Sequence, residues 1–164
     1  MTSLFNRETV YVTDKASPTE VFEEVYLDLL KKKLVTNEFL TSLLEREKHY
    51  PTGLDLTPVD GDLPNIAIPH TESDFVRTTR IIPIRLQTPL TFHNMIAPDN
   101  QLSVSFLFMI LNENGEEQAG LLADIMDFIN ATEKPALLSF LSSDSPEEIY
   151  QFLEKNFKGE KNND

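Results

Sequence analysis

The sequence predicts one α/β domain, a mixed β-sheet covered by helices. Three observations lead there. Capped segments with apolar residues at helical spacing lie towards both ends of the chain. Between them run stretches rich in Ile, Leu, Val and Phe, at 66–68, 80–86 and 102–111, of strand length. The helical segments bracket and interrupt these strands, as they do when helices layer onto a sheet. A chain of 164 residues suits a single domain. It is assigned to 1–157, with a polar tail at 158–164 that has nothing to bury and is expected to fray.

In chain order, Val10-Tyr11-Val12 reads as a short strand. A helix then opens at Ser17-Pro18-Thr19-Glu20: Ser17 can cap, Pro18 suits the first helical position and Glu20 completes a capping box. Val21, Phe22, Val25, Tyr26, Leu29 and Leu30 make its apolar stripe. Lys31-Lys32-Lys33 sit in the last turn, where positive charge complements the helix dipole. A second helix is expected from Thr36, with Phe39, Leu40, Leu43 and Leu44 on one face, ending before Pro51. After it, Thr52-Gly53 reads as a turn in which Gly53 supplies positive φ.

The three strand-like runs follow, and Pro83 inside the second points to a sheet edge or a bulge. A third helix is expected at about 116–130 with Leu121, Leu122, Ile125, Met126 and Ile129 inward. A short helical piece at 135–141 comes next. A last helix starts at Ser145-Pro146-Glu147-Glu148 and buries Ile149, Phe152 and Leu153.

Composition narrows the function. Twenty-seven acidic against fourteen basic residues give a net charge of −13, which repels phosphate backbones and anionic lipid. Nucleic acid and membranes are therefore poor partners, and a basic protein is a better one. The opening MTSLFNRE lacks a secretory pattern, and no apolar run approaches the ~20 residues needed to span a bilayer. A soluble, cytoplasmic protein is expected. The absence of cysteine removes disulfides, thiolate metal sites and a cysteine nucleophile within the chain. With three scattered histidines and five glycines, neither a zinc site nor a nucleotide-binding glycine loop is supported, and no cofactor or metal is expected.

Among His49, His70 and His93, only His70 closes an apolar run ending in proline, Ile66-Ala67-Ile68-Pro69. Pro69 should stop the strand and project His70 from the sheet's end, where α/β folds handle ligands. An imidazole with pKa near 6.5 is substantially neutral at pH 7 and can act as a nucleophile. The Thr71 hydroxyl could bond the imidazole or a phosphoryl oxygen. Arg46, in the closing turn of the second helix, could grip phosphoryl oxygens with two parallel hydrogen bonds, although a cation there also suits the dipole.

Arg46-Glu47 with Tyr50-Pro51-Thr52-Gly53-Leu54, followed by Ile66-Ala67-Ile68-Pro69-His70-Thr71, resembles the EIIA domain of the fructose–mannitol class of the sugar phosphotransferase system. The resemblance runs over about 1–157. It is nearest the galactitol-type EIIA, judged by MTSLF, a Phe92-containing turn after Leu86, and Asp99-Asn100 before the long strand. It implies that phospho-HPr delivers a phosphoryl group to Nε2 of His70 and that a cysteine of EIIB receives it, with the EIIC permease reached through EIIB. Since EIIB domains carry phosphate on cysteine, none is fused within this chain. The resemblance makes Arg46 the phosphoryl-stabilising partner, with Thr52 and Thr71 nearby. It places Gln118, a possible orienting donor, where mannitol and fructose relatives carry a second histidine. A shallow docking site rimmed by apolar residues follows from two protein partners. A regulatory relative similar to the nitrogen-type EIIA is the alternative.

Overall fold

A computed structural model describes residues 4–158. The MTS of the opening motif and nearly all of the tail assigned to 158–164 lie outside the described residues. The elements run β1 (Tyr11–Thr13), α1 (Pro18–Lys31), α2 (Phe39–His49), β2 (Gly53–Leu54), β3 (Asn65–Ala67), β4 (Arg80–His93), β5 (Gln101–Leu111), α3 (Gln118–Ala131), α4 (Lys134–Leu141) and α5 (Pro146–Asn156). The strands form one mixed sheet in the order β1-β4-β5-β3-β2. β4 and β5 are an antiparallel hairpin at its centre, β1 runs parallel to β4, β3 runs parallel to β5, and β2 closes the far edge antiparallel to β3.

Alternation along the two long strands sorts side chains onto two faces. Ile82, Ile84, Leu86, Leu107, Met109 and Leu111 pack beneath α1 and α2 with Val21, Phe22, Leu29, Phe39 and Leu43. Ile81, Phe106, Phe108 and Ile110 face the opposite way, against α3, α4 and α5. That second core is rich in rings: Phe108, Phe128, Phe140 and Phe152 touch in sequence at centroid separations of 6.3, 5.5 and 4.9 Å. Phe128 is more deeply buried than its neighbours Leu122 and Met126, which the helical pattern had pointed inward.

The caps form as their residues require. Ser17 accepts the Glu20 N–H at 3.2 Å, and Ser145 accepts the Glu148 N–H at 3.2 Å. In contrast, α2 starts three residues later than Thr36. Residues 34–36 are held extended by a ladder to 75–77: Thr36 N–H to the Phe75 carbonyl at 3.0 Å, Arg77 N–H to the Leu34 carbonyl at 2.9 Å. Tertiary pairing overrides the local helical signal.

Three further expectations change. Pro83 is neither at an edge nor at the bulge. It lies on an interior strand opposite Phe108, at a level where β1 has not yet begun, since β1 pairs from Ile84 onward. The register shift comes later, between Arg85 and Leu90. Phe92 is not in a turn but is a buried strand residue of β4. Gly53 has no positive φ and sits in β2. A Cβ there would lie 2.6 Å from the His93 carbonyl oxygen, so close approach of the hairpin demands the glycine.

Positive φ falls instead on Lys33, at 62°. The Lys33 N–H bonds the Leu30 carbonyl at 2.9 Å and the Leu34 N–H bonds the Leu29 carbonyl at 3.0 Å, a Schellman ending of α1. Glycine is the usual occupant of that position because a Cβ is crowded there. Lys33→Gly is therefore expected to stabilise the protein by about 0.5–1 kcal/mol, raising Tm by about 1–4 °C in a thermal unfolding scan.

Candidate functional site

The carboxyl ends of the parallel pair β3 and β5 point the same way, and His70 lies there, three residues beyond β3. Pro69 does not release the chain from the sheet. Proline lacks an N–H but keeps its carbonyl, which accepts the Ile110 N–H at 2.9 Å, and His70 still bridges to Ile110. On the other side, the Ile68 N–H donates to the Thr52 carbonyl at 3.1 Å. The segment carrying the histidine is thus bonded to both neighbours.

The imidazole is half-buried, and its Nδ1 lies 2.8 Å from the Ile68 carbonyl oxygen. A carbonyl only accepts, so Nδ1 carries the proton and donates it. In the neutral ring Nε2 then holds the lone pair. Burial lowers the His70 pKa from its ordinary value; the Ile68 bond opposes this, and the Arg46 guanidinium pushes it down further. The result is a neutral, oriented nitrogen nucleophile at pH 7.

Arg46 comes from the last turn of α2 and is loosely held. Its Nη1 is 3.8 Å from Glu72 Oε1, its guanidinium carbon lies 5.6 Å from the centre of the Tyr50 ring, and its buried Nε has no hydrogen-bond partner. A cation with donors to spare can turn to an incoming phosphoryl group. Arg46, Tyr50 and Glu72 line an open groove of about 470 Å³ with Ser42, Glu45 and His49. The lining of this groove is polar and acidic, with Tyr50 as its large exposed ring.

The remaining expected residues are engaged elsewhere. The Thr71 hydroxyl donates to the Glu72 carbonyl at 2.8 Å rather than to the imidazole. The Thr52 hydroxyl donates to Glu47 Oε1 at 2.7 Å, and the Thr52 N–H donates to Glu47 Oε2 at 2.8 Å. Gln118 opens α3, and its Oε1 accepts from the buried Asn112 amide at 3.2 Å. Among the described residues Gln118 has no hydrogen bond to His70. It does belong to the same end of the sheet, since Asn112 follows β5 and Gly115 sits where a Cβ would be 3.5 Å from Ser73 Oγ.

Sequence reasoning missed two contributors. Glu47 was visible as the residue after Arg46, but nothing local showed that it reaches Thr52. His93 was set aside; it lies close enough to Glu47 to favour the carboxylate electrostatically, while donating from Nδ1 to the Pro98 carbonyl at 2.8 Å. No group of three or more His, Asp or Glu side chains among the described residues could hold a metal ion. Among the described residues no helix is long and apolar enough to cross a membrane.

Comparison with known proteins shows the family. Residues 3–156 match the family described as phosphoenolpyruvate-dependent sugar phosphotransferase system, EIIA 2. The galactitol-specific EIIA component of Escherichia coli is 30% identical over 122 residues, spanning 74% of this chain and 75% of that protein. Among solved structures, IIA mannitol from Escherichia coli superposes with a TM-score of 0.69 at 18% identity, covering 91% of this chain and 98% of the other. The same enzyme in complex with phosphorylated enzyme IIB mannitol gives 0.68 at 18% identity, covering 92% and 97%. Nitrogen regulatory protein IIA-Ntr from Neisseria meningitidis gives 0.59 at 27% identity, covering 90% and 93%. The matched span, the fold and the two motifs at this sheet end agree: the chain belongs to the EIIA 2 family of the phosphoenolpyruvate-dependent sugar phosphotransferase system.

Proposed function

We propose that this protein is the galactitol-type EIIA component of a sugar uptake system, working in the cytoplasm and carrying a phosphoryl group on Nε2 of His70. The observation that carries the reading is the Nδ1–H bond to the Ile68 carbonyl, because it leaves the Nε2 lone pair available. The Nε2 pair attacks phosphorus of phospho-HPr, and the bond from phosphorus to HPr breaks, its electron pair returning to HPr. A cysteine thiolate of EIIB then attacks the same phosphorus, and the pair of the His70–phosphorus bond returns to Nε2. EIIC is reached through EIIB.

Phosphoryl transfer of this kind asks for in-line placement and charge stabilisation. Arg46 can supply the charge by leaving Glu72, since 3.8 Å is beyond hydrogen-bond length and an exposed ion pair is worth ~1 kcal/mol at most. The Gln118 NH₂ is a candidate further donor to a phosphoryl oxygen. The 27% identity to IIA-Ntr supports a second reading, a regulatory phosphohistidine protein. Offering the phosphorylated protein to a galactitol-type EIIB separates the two: rapid transfer supports uptake, and no transfer supports regulation.

With Enzyme I, HPr and phosphoenolpyruvate, one acid-labile, base-stable phosphate per chain is expected, lost in His70→Ala and retained when His49 or His93 is replaced. Full labelling of His70→Ala would overturn the assignment. Arg46→Ala should slow transfer about a hundredfold, about 3 kcal/mol, with Arg46→Lys recovering part of it.

The acid limb of the rate profile supplies a signed check. His70 must be neutral to attack, and its pKa is lowered, so the acid limb of the rate should have its midpoint below the ordinary imidazole value of about 6.5. Removing the Arg46 charge should raise that pKa and move the fall to higher pH. A limb that moves to lower pH in Arg46→Ala would contradict the electrostatic account. Gln118→Ala should slow transfer about tenfold, the value of one neutral hydrogen bond. Gln118→His should stay active and acquire an extra pH dependence near neutrality. Rates of both variants indistinguishable from wild type would return Gln118 to a purely structural role beside Asn112.

A further inference from the structure

We infer that Glu47 is a positioning residue for His70, acting through Thr52 and Ile68 to hold the carbonyl that fixes the imidazole tautomer. The inference rests on the proposed role of His70 as the phosphoryl carrier. Its basis is a continuous run of hydrogen bonds. The two Glu47 oxygens accept the Thr52 N–H at 2.8 Å and the Thr52 hydroxyl at 2.7 Å. The Thr52 carbonyl accepts the Ile68 N–H at 3.1 Å, and the Ile68 carbonyl accepts His70 Nδ1–H at 2.8 Å.

Each link restricts the next. A carboxylate gripping two donors of one residue fixes both the rotation and the translation of that residue. Thr52 is 3% exposed, so solvent does not offer a substitute partner. Ile68 is followed by Pro69, whose nitrogen bears no hydrogen, so the Ile68 peptide unit is held through its own N–H and its carbonyl. Behind the loop, the Met95 N–H bonds the Gly53 carbonyl at 2.8 Å, and the His93 carbonyl closes on the face of Gly53. Thr52 is thus clamped between α2 and the tip of the β4–β5 hairpin.

Arg46 and Glu47 are consecutive on α2, about 100° apart around the axis. One faces the groove and the other faces the loop. A single helix end therefore serves both the phosphoryl group, through charge, and the nucleophile, through position. Burial raises the Glu47 pKa, while the Thr52 bonds and nearby His93 favour the carboxylate, so the clamp is held against a desolvation cost that a merely decorative residue would not bear. Without the Ile68 carbonyl in place, the imidazole is free to put its proton on Nε2, and the nucleophilic pair then sits on Nδ1 and no longer on Nε2.

The test is the His70 ring tautomer in the unphosphorylated full chain, read from ¹⁵N chemical shifts at pH 8, together with the rate of transfer from phospho-HPr. Glu47→Leu keeps the volume and removes both acceptors. It should give a mixture of tautomers and at least a tenfold slower transfer. Glu47→Gln can keep both bonds, accepting the N–H and donating to a reversed Thr52 hydroxyl, and should hold the Nδ1–H tautomer with a rate within about threefold of wild type. A folded Glu47→Leu protein with an unchanged tautomer and rate would overturn the inference. Should Glu47→Leu not fold, Thr52→Val against Thr52→Ser decides: a tautomer shift in the first and none in the second supports the clamp, and no shift in Thr52→Val overturns it. A tautomer shift in Glu47→Leu with a wild-type protein that phospho-HPr fails to label would sink the phosphotransfer reading and leave the positioning role of Glu47 standing.

Discussion

A histidine that donates from Nδ1 to the carbonyl two residues behind it needs extended backbone that is held still at both positions. Here that backbone is Ile68-Pro69-His70, pinned by Thr52 on one side and by Ile110 on the other. The arrangement works because β3 runs parallel to β5 and β5 continues from Leu107, opposite the end of β3, to Leu111, so the chain can overrun its strand by three residues and still find a partner. The fold's other features arrange themselves around this overrun. The last turn of α2 delivers Arg46 and Glu47, the start of α3 comes alongside through Gly115, and the ladder between residues 34–36 and 75–77 ties the following loop to the α1–α2 connection.

Burial and charge act on the imidazole in the same direction, and that agreement has chemical meaning. Desolvation penalises the imidazolium, and a guanidinium beside it penalises it again. In the proposed transfer the same guanidinium would favour a dianionic phosphoryl group, so a single cation would keep the imidazole neutral before the step and balance charge after it. Two carboxylates, Glu45 and Glu72, share the groove with that cation, and a small anion would have to compete with them.

What was legible in the sequence and what was not divides along one line. Caps, helical stripes and the Ile66–His70 run are local patterns, so Ser17, Ser145 and the sheet-end position of His70 could be read directly. The place of Arg46 in the closing turn of α2 was legible from the helical pattern. Features set by tertiary approach were hidden. Glu47 meets Thr52 only through the particular bend the chain takes after α2 at Tyr50-Pro51; Gly53 is required by a carbonyl forty residues away; and the start of α2 yields to the pairing with 75–77. Pro83 was read by the rule that prolines avoid interior strands, but the rule concerns an unmade hydrogen bond, and none is missing where the neighbouring strand has not begun. Thr71 reads from the sequence as a hydroxyl for the imidazole or a phosphoryl oxygen, and Thr52 as a residue near the site, yet both protons are committed within the scaffold.

The lengths of the strands carry a consequence for how the molecule behaves in a crowded solution. The long β4 and β5 lie inside the sheet, and its two borders are β1, of three residues, and β2, of two. Unpaired N–H and C=O groups on a border are what another chain would use to add itself as a strand. A strand docking on β1 or β2 would find two or three residues of template, with the hairpin tip folded against Gly53 at one border and a proline where β1 would otherwise lengthen. Border strands this short offer intruding chains little on which to linger.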